Sequence, residues 1–169
     1  MKIGDAAPEF SLPDLTGRLH RLQDYRGRIV ILNFWSCECP HAERTDLLLE
    51  SWIASWGEDV VLLPIASNVN ESTEALAAAA SRRRLPVILV DQQHRVADLY
   101  EALTTPHVYL IDAQGLLRYS GAVDDVNFAR RQPGRLFLQE AVQALRDGTS
   151  QPAPPTQPYG CIIVRHALE

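Results

Sequence analysis

Residues 28–35 read RIVILNFW, a nearly unbroken apolar run. A strand covered on one face alternates apolar and polar residues. A strand apolar at successive positions is buried on both faces, at the centre of a sheet with helices on either side. This run therefore predicts an α/β layered fold. The chain has 169 residues, enough for one domain with such a core.

The flanking sequence alternates accordingly. Before the run, APEFSLPDLTG is extended and punctuated by Pro and Gly, and LQDYRG makes a short turn. After it, a helix is predicted from Pro40 to Trp56. Pro is tolerated in a first helical turn, Leu49, Trp52, Ile53 and Trp56 recur at helical spacing, and Gly57 ends the helix. VVLLPIA (60–66) is the next strand, 71–84 a second helix, PVILV (86–90) a strand and 94–103 a short helix. VYLID and LLRYSG form a hairpin around the Asp112–Gly115 turn, and a last helix runs from about Pro133 to Arg146. The early glutamates and late arginines of the second helix suit the helix dipole. Arg82, Arg83 and Arg84 read as a solvated helix end rather than a phosphate site.

Residues 1–148 are thus expected to form one domain, and 149–167 a Pro-rich tail. TSQPAPPTQP, extended at ~3.1 Å per residue, spans roughly 30 Å. It is followed by YGCIIVRH, a short predicted strand carrying Cys161. A simple linker has no need of apolar residues after it, so the tail is expected to dock back on the domain. Leu168 and Glu169 are a candidate cloning scar.

The chemistry concentrates in FWSCECPHAER (34–44), which holds two of the three cysteines. Cys39 stands between the buried strand and a helix N-terminus. Unpaired N–H groups and the helix dipole stabilise a thiolate there, and the thiolate is the nucleophile toward peroxides and disulfides. The bland alternative is a buried, inert thiol. Cys37 lies two residues earlier. In extended backbone the two Cα atoms sit near or beyond the ~6.8 Å limit for a bridge, which favours Cys37 as a packed strand-end residue. His41, in the first helical turn, either influences the thiol or is an uninvolved exposed side chain. Cys37, Cys39, His41 and Cys161 together supply four zinc-type ligands, although zinc motifs space paired cysteines by two to four residues. Thr105-Pro106, entering a strand, is either a candidate cis peptide or an ordinary trans strand start.

Composition narrows the class. The formal net charge of −5 disfavours nucleic acid and anionic membrane as partners. No apolar run approaches ~18 residues. The N-terminal MKIGDAAPEF has no apolar core of a signal peptide. A cytoplasmic protein is expected, in which three cysteines are catalytic, redox-active or metal-binding rather than a disulfide framework.

NFWSCECP and TTPHVYLIDAQGLLRYSG, with the lead-in APEFSLPDLTGRLHRLQDYRGRIVILNFW, resemble the thioredoxin fold of the thiol-specific antioxidant and redoxin superfamily. The resemblance is to a peroxiredoxin-like group reading Cys-x-x-Cys-Pro, with a Thr-Pro strand, a Gly-initiated acidic turn and a Gly-Cys-x-Ile ending. Those parts correspond here to Cys37–Pro40 with one residue fewer, Thr105-Pro106, Gly121-Ala-Val-Asp124-Asp125 and Gly160-Cys161-Ile-Ile163. The resemblance implies a thioredoxin-like α/β fold, a central mixed sheet flanked by helices, with an extended N-terminal lead-in and a C-terminal tail. It puts Cys39 in the place of the nucleophile and Ala42 in that of the second thioredoxin cysteine. Pro106 takes the place of the proline packed against the active site, and Thr105 offers backbone to a substrate. Two positions depart from the pattern. Peroxiredoxins carry Pro-x-x-x-Thr/Ser-x-x-Cys, and Ser36 fits that hydroxyl while Leu32 replaces the proline. Ala42 replaces the second cysteine.

The function expected is that of a thiol-dependent oxidoreductase. Cys39 attacks a peroxide or disulfide, and Cys161, Cys37 or an external thiol reductant such as a thioredoxin resolves the product. Ser36, Pro40, His41, Thr105 and Pro106 are the candidate substrate-binding residues. No cofactor or metal is expected, and the oligomeric state stays open. The competing readings are a non-catalytic thioredoxin-fold binding module and a Cys/His metal-binding protein.

Overall fold

The computed structural model describes residues 1–149 and 153–167, so Leu168 and Glu169 lie outside the described residues. The lead-in is a small hairpin rather than merely extended chain. Its strands are β1 (Ser11–Pro13) and β2 (Leu19–Arg21). Asp14 closes it, because Oδ1 accepts from the N–H groups of Thr16 (2.8 Å) and Arg18 (3.1 Å). Such side-chain-to-backbone bonds are how Asp stabilises turns. A 3₁₀ turn, Leu22–Tyr25, follows.

The apolar run forms β3 (Ile29–Trp35), and α1 (Pro40–Trp56) leaves directly from it. β4 (Val60–Ala66) pairs parallel to β3. The second helix, α2, covers only Thr73–Arg82, because Ser72 caps it by accepting the Ala75 N–H. Glu71 therefore stands outside the helix. β5 shrinks to Leu89–Val90, and α3 (Arg95–Leu99) starts after His94 in the left-handed region. β6 (Thr104–Thr105) leads through a cis Thr105–Pro106 bond into β7 (His107–Ile111), which turns at Asp112–Gly115 into β8 (Leu117–Gly121). α4 begins at Phe137, later than expected from Pro133, and ends at Arg146; β9 is Cys161–Ile162.

The main sheet has the order β5-β4-β3-β7-β8, with β3 antiparallel to β7. β3 is central and both its faces are covered. Leu32 and Phe34 pack with Phe10, Leu63, Tyr100 and Tyr109, while Ile31 packs with Trp52, Leu110, Tyr119 and Leu138. A third cluster of Trp35, Ala42, Leu76 and Ile88 surrounds the end of β3. Among the described residues no helix is long and apolar enough to cross a membrane.

The tail lies on the domain at several points. Thr156 N–H donates to Ser120 O, and its hydroxyl bonds Tyr119 Oη at 2.6 Å and accepts from Ala122 N–H at 2.9 Å. β9 pairs antiparallel with β6, and Ile163 is buried in the first core cluster. Val164 N–H donates to Asn68 Oδ1 at 2.8 Å, and Arg165 reaches Ala102 O and Asp98.

Candidate active site

The site forms where β3 stops and α1 starts. Cys39 is the N-cap of α1, with extended backbone (φ −82°, ψ 117°), and Pro40 occupies the first turn, where its missing N–H is no loss. The thiol is only 2% exposed. Its Sγ lies 3.0 Å from Thr105 O, to which it donates when protonated. Burial works to raise the Cys39 pKa. Interactions with the Cys161 thiol and the backbone N–H groups of Ala42 and Cys161 outweigh it and hold the pKa below the ordinary thiol value. Cys161 moves the opposite way: burial, its bond to Cys39 and the charge developing on Cys39 all raise it. Cys39 is therefore the more acidic of the two thiols and Cys161 the one that holds its proton more tightly. All three cysteines are free thiols.

Cys37 differs in its acidity. Burial, together with the charge of Glu71 and a hydrogen bond to it, pushes its pKa to about 12. It is a buried thiol in the same apolar cluster as Cys39, against which Cys161 packs. Ser36 Oγ donates to Glu71 Oε1, and the Glu38 N–H approaches both oxygens, at 3.2 Å from Ser36 Oγ and 3.3 Å from Glu71 Oε1. Ser36 thus orders the loop between β3 and α1.

Arg83 corrects the expectation of a solvated arginine cluster. Its side chain is 5% exposed and bonds Cys37 O (2.6 Å), Ser36 O (3.3 Å) and Asp46 Oδ2 (3.2 Å), with its guanidinium over the Trp35 ring. Asp46 also accepts from Trp35 Nε1 at 2.8 Å. Arg83, Asp46, Asn68 and Glu71 were not among the sequence candidates. Three adjacent arginines look alike in sequence, and an acidic residue before a helix reads as a dipole partner. Only the packing separates them.

The remaining candidates lie around the cysteine pair. Thr105 and Pro106 form the wall opposite α1. Gly160 presses on that wall so closely that a Cβ there would stand 2.0 Å from Thr105 O and 3.1 Å from Pro106 Cδ. His41 packs edge-on against Tyr159 of the tail, ring centroids 4.9 Å apart, and so serves as a tail contact. Cys37, Cys39, His41 and Cys161 do not converge: among the described residues no group of three or more His, Cys, Asp or Glu side chains is placed to hold a metal ion. A cavity of about 210 Å³ opens beside Cys39 and Cys161, lined also by Ser36, Glu38, Asn68 and Glu71.

Residues 3–120 match the model of the AhpC/TSA family. The chain is 36% identical over 117 residues to the thiol-disulfide oxidoreductase ResA of Geobacillus thermodenitrificans, which covers 69% of this chain and 67% of that protein. A hypothetical protein of Sinorhizobium meliloti aligns over 99% of this chain and 96% of its own, with a TM-score of 0.85 and 25% identity, so the likeness of fold extends through the tail. The thioredoxin domain of a thiol-disulfide oxidoreductase of Bacteroides vulgatus superposes on 86% of this chain and 98% of its own, with a TM-score of 0.66 and 17% identity. The fold is thioredoxin-like.

Proposed function

The chain belongs to the AhpC/TSA family, and on that footing we propose that it is a thiol-dependent oxidoreductase in which Cys39 is the nucleophile and Cys161 the resolving thiol. The observation that carries this reading is that Cys39, at the N-terminus of α1, and Cys161, on the strand paired with Thr105, line one cavity, with the Cys39 pKa lowered and the Cys161 pKa raised. A thiolate beside a protonated thiol is the reactant pair that exchange chemistry needs.

Toward a peroxide, Cys39 S⁻ attacks the near oxygen, the O–O bond breaks and the departing oxygen takes a proton, leaving a sulfenic acid. Cys161 then loses its proton and attacks the Cys39 sulfur. The hydroxyl leaves as water and a Cys39–Cys161 disulfide remains. Toward a disulfide, the same thiolate forms a mixed disulfide that Cys161 resolves, expelling the second thiol. An external thiol reductant such as a thioredoxin closes the cycle, in the cytoplasm.

Oxidising the reduced protein with one equivalent of hydrogen peroxide and mapping its peptides without reductant tests the pairing. The expected product is a Cys39–Cys161 link. Cys39 left unlinked and unmodified, or peroxide and disulfide turnover undiminished in Cys39→Ser, would overturn the reading.

A further inference from the structure

Thr105 O, the acceptor for the Cys39 thiol, lies on β6. An unpaired strand edge takes up an extended chain by backbone pairing. At β6 that place is filled from within, because β9 pairs with it, Thr104 opposite Ile162 and Thr105 opposite Cys161. The fit is close: a Cβ on Gly160 would stand 2.0 Å from Thr105 O. An incoming polypeptide cannot pair there until β9 leaves, and Cys39 beneath is only 2% exposed.

What stays open beside the two cysteines is small. The cavity, at about 210 Å³, is below the ~300 Å³ at which drug-sized ligand sites begin. It has room for a hydroperoxide or a disulfide with short arms, and not for a peptide strand. The tail, however, is lightly held. β9 is two residues long, and among the described residues of the tail only Ile163 is fully buried. The rest of its hold is hydrogen bonds at Thr156, Ile163, Val164 and Arg165. A segment with so few buried contacts opens locally, without the domain unfolding.

We propose that the seated tail is a size filter: it restricts Cys39 to small oxidants, hydroperoxides and short disulfides, and shuts out polypeptide disulfides until β9 leaves β6. The proposal rests on the reading of Cys39 as nucleophile and Cys161 as resolving thiol. With a short disulfide, Cys39 S⁻ attacks one substrate sulfur, the substrate S–S bond breaks and one thiolate leaves, taking the Cys161 proton. Cys161 S⁻ then attacks the Cys39 sulfur and expels the second thiolate, which is protonated from solvent. One disulfide is reduced to two thiols and the protein dithiol is oxidised. The filter acts at Cys39 and does not bar a protein reductant, because Cys161 is the less buried of the two residues and offers its own sulfur.

The test uses reduced full-length Cys161→Ser, which keeps the β9 backbone and stops the reaction at the first mixed disulfide on Cys39. Two reagents are compared in single turnover: bis(2-hydroxyethyl) disulfide, and an extended peptide whose one cysteine is disulfide-linked to mercaptoethanol. Each rate is divided by that of the same reagent with dithiothreitol, which removes intrinsic reactivity. The small disulfide should lead by about 100-fold, the factor set by an open form on the order of 1% of the population. Adding Gly160→Ala, which lifts β9, or Ile163→Ala, which removes the buried anchor of the tail, should bring the two rates together. Equal normalised rates with the tail intact overturn the proposal even if neither added substitution folds. A preference unchanged in folded protein carrying either one belongs to some other barrier and overturns it too. No reaction with the small disulfide also overturns it, and a Cys39–Cys161 link formed by peroxide in the natural protein would then leave the oxidoreductase reading standing.

Discussion

Thr105 and Cys161 are register partners in the β6–β9 ladder, and Thr105 O is also the acceptor 3.0 Å from Cys39 Sγ. The residue before Pro106 thus pairs with Cys161 through the backbone ladder and accepts from the Cys39 thiol. The tail strand delivers Cys161 to Cys39 by backbone pairing, and whatever shifts β9 shifts the resolving thiol.

Gly160→Ala should show this. The new Cβ would meet Thr105 O at 2.0 Å and Thr105 C at 2.7 Å, and rigid backbone gives way less readily than a side chain. β9 is expected to lift from β6. Formation of the Cys39–Cys161 disulfide after peroxide should slow by something on the order of 100-fold, as for a displacement of about 1 Å between reacting groups. Cys39 alkylation by iodoacetamide should persist. Quenched-flow peptide mapping reads both.

The thiols should separate by pH. Cys39 sits below its ordinary value, the opposing effect of burial being outweighed by its hydrogen bonds, so its alkylation should level off at a lower pH than that of an ordinary free thiol. Cys37, held at about 12 by burial and Glu71, should stay unreactive through pH 9. Cys161→Ala removes the thiol donor and should move the Cys39 profile upward. Residue-resolved alkylation from pH 5 to 9 checks all three statements.

Arg83→Ala strips a buried partner from Asp46 and leaves the Ser36 and Cys37 carbonyls without their donor. Breaking a buried ion pair on one side costs about 3 kcal/mol or more, roughly 10 °C in Tm for a chain of this size. Arg83→Lys should recover only part of it, since an ammonium cannot reproduce the fork across three acceptors. Differential scanning calorimetry of the two variants makes the comparison.

Acid stability should carry the signature of His107. Burial lowers its pKa to about 4, while its ring stacks on Tyr109 at 4.6 Å and accepts from Leu103 N–H at 3.3 Å. The unfolded chain, near the ordinary 6.5, binds more protons between those values, so folding stability falls as pH drops through that window. The loss reaches about 3 kcal/mol by pH 4. His107→Phe keeps the stack and should flatten the slope relative to the natural protein. Urea unfolding at pH 7, 5.5 and 4 measures the difference.

Local pattern determined much of this protein. The apolar run of β3, the cysteine at the head of α1 and the hairpin of β7 and β8 were legible because burial on both faces, helix capping and turn chemistry leave marks on neighbouring residues. The resemblance of NFWSCECP and TTPHVYLIDAQG to redoxins placed Cys39 opposite Thr105 and Pro106. Distance in sequence hid the rest. Arg83 is indistinguishable from Arg82 and Arg84 until it is seen wedged against Trp35, Asp46 and the loop carbonyls. Glu71 reads as the first turn of a helix until Ser72 takes the cap and turns it toward Ser36. Whether Cys161 meets Cys39 depended on Gly160, Thr156 and Ile163 together seating the tail. Such long-range contacts arise from packing and leave no period or spacing in the chain, so tertiary structure alone decided them.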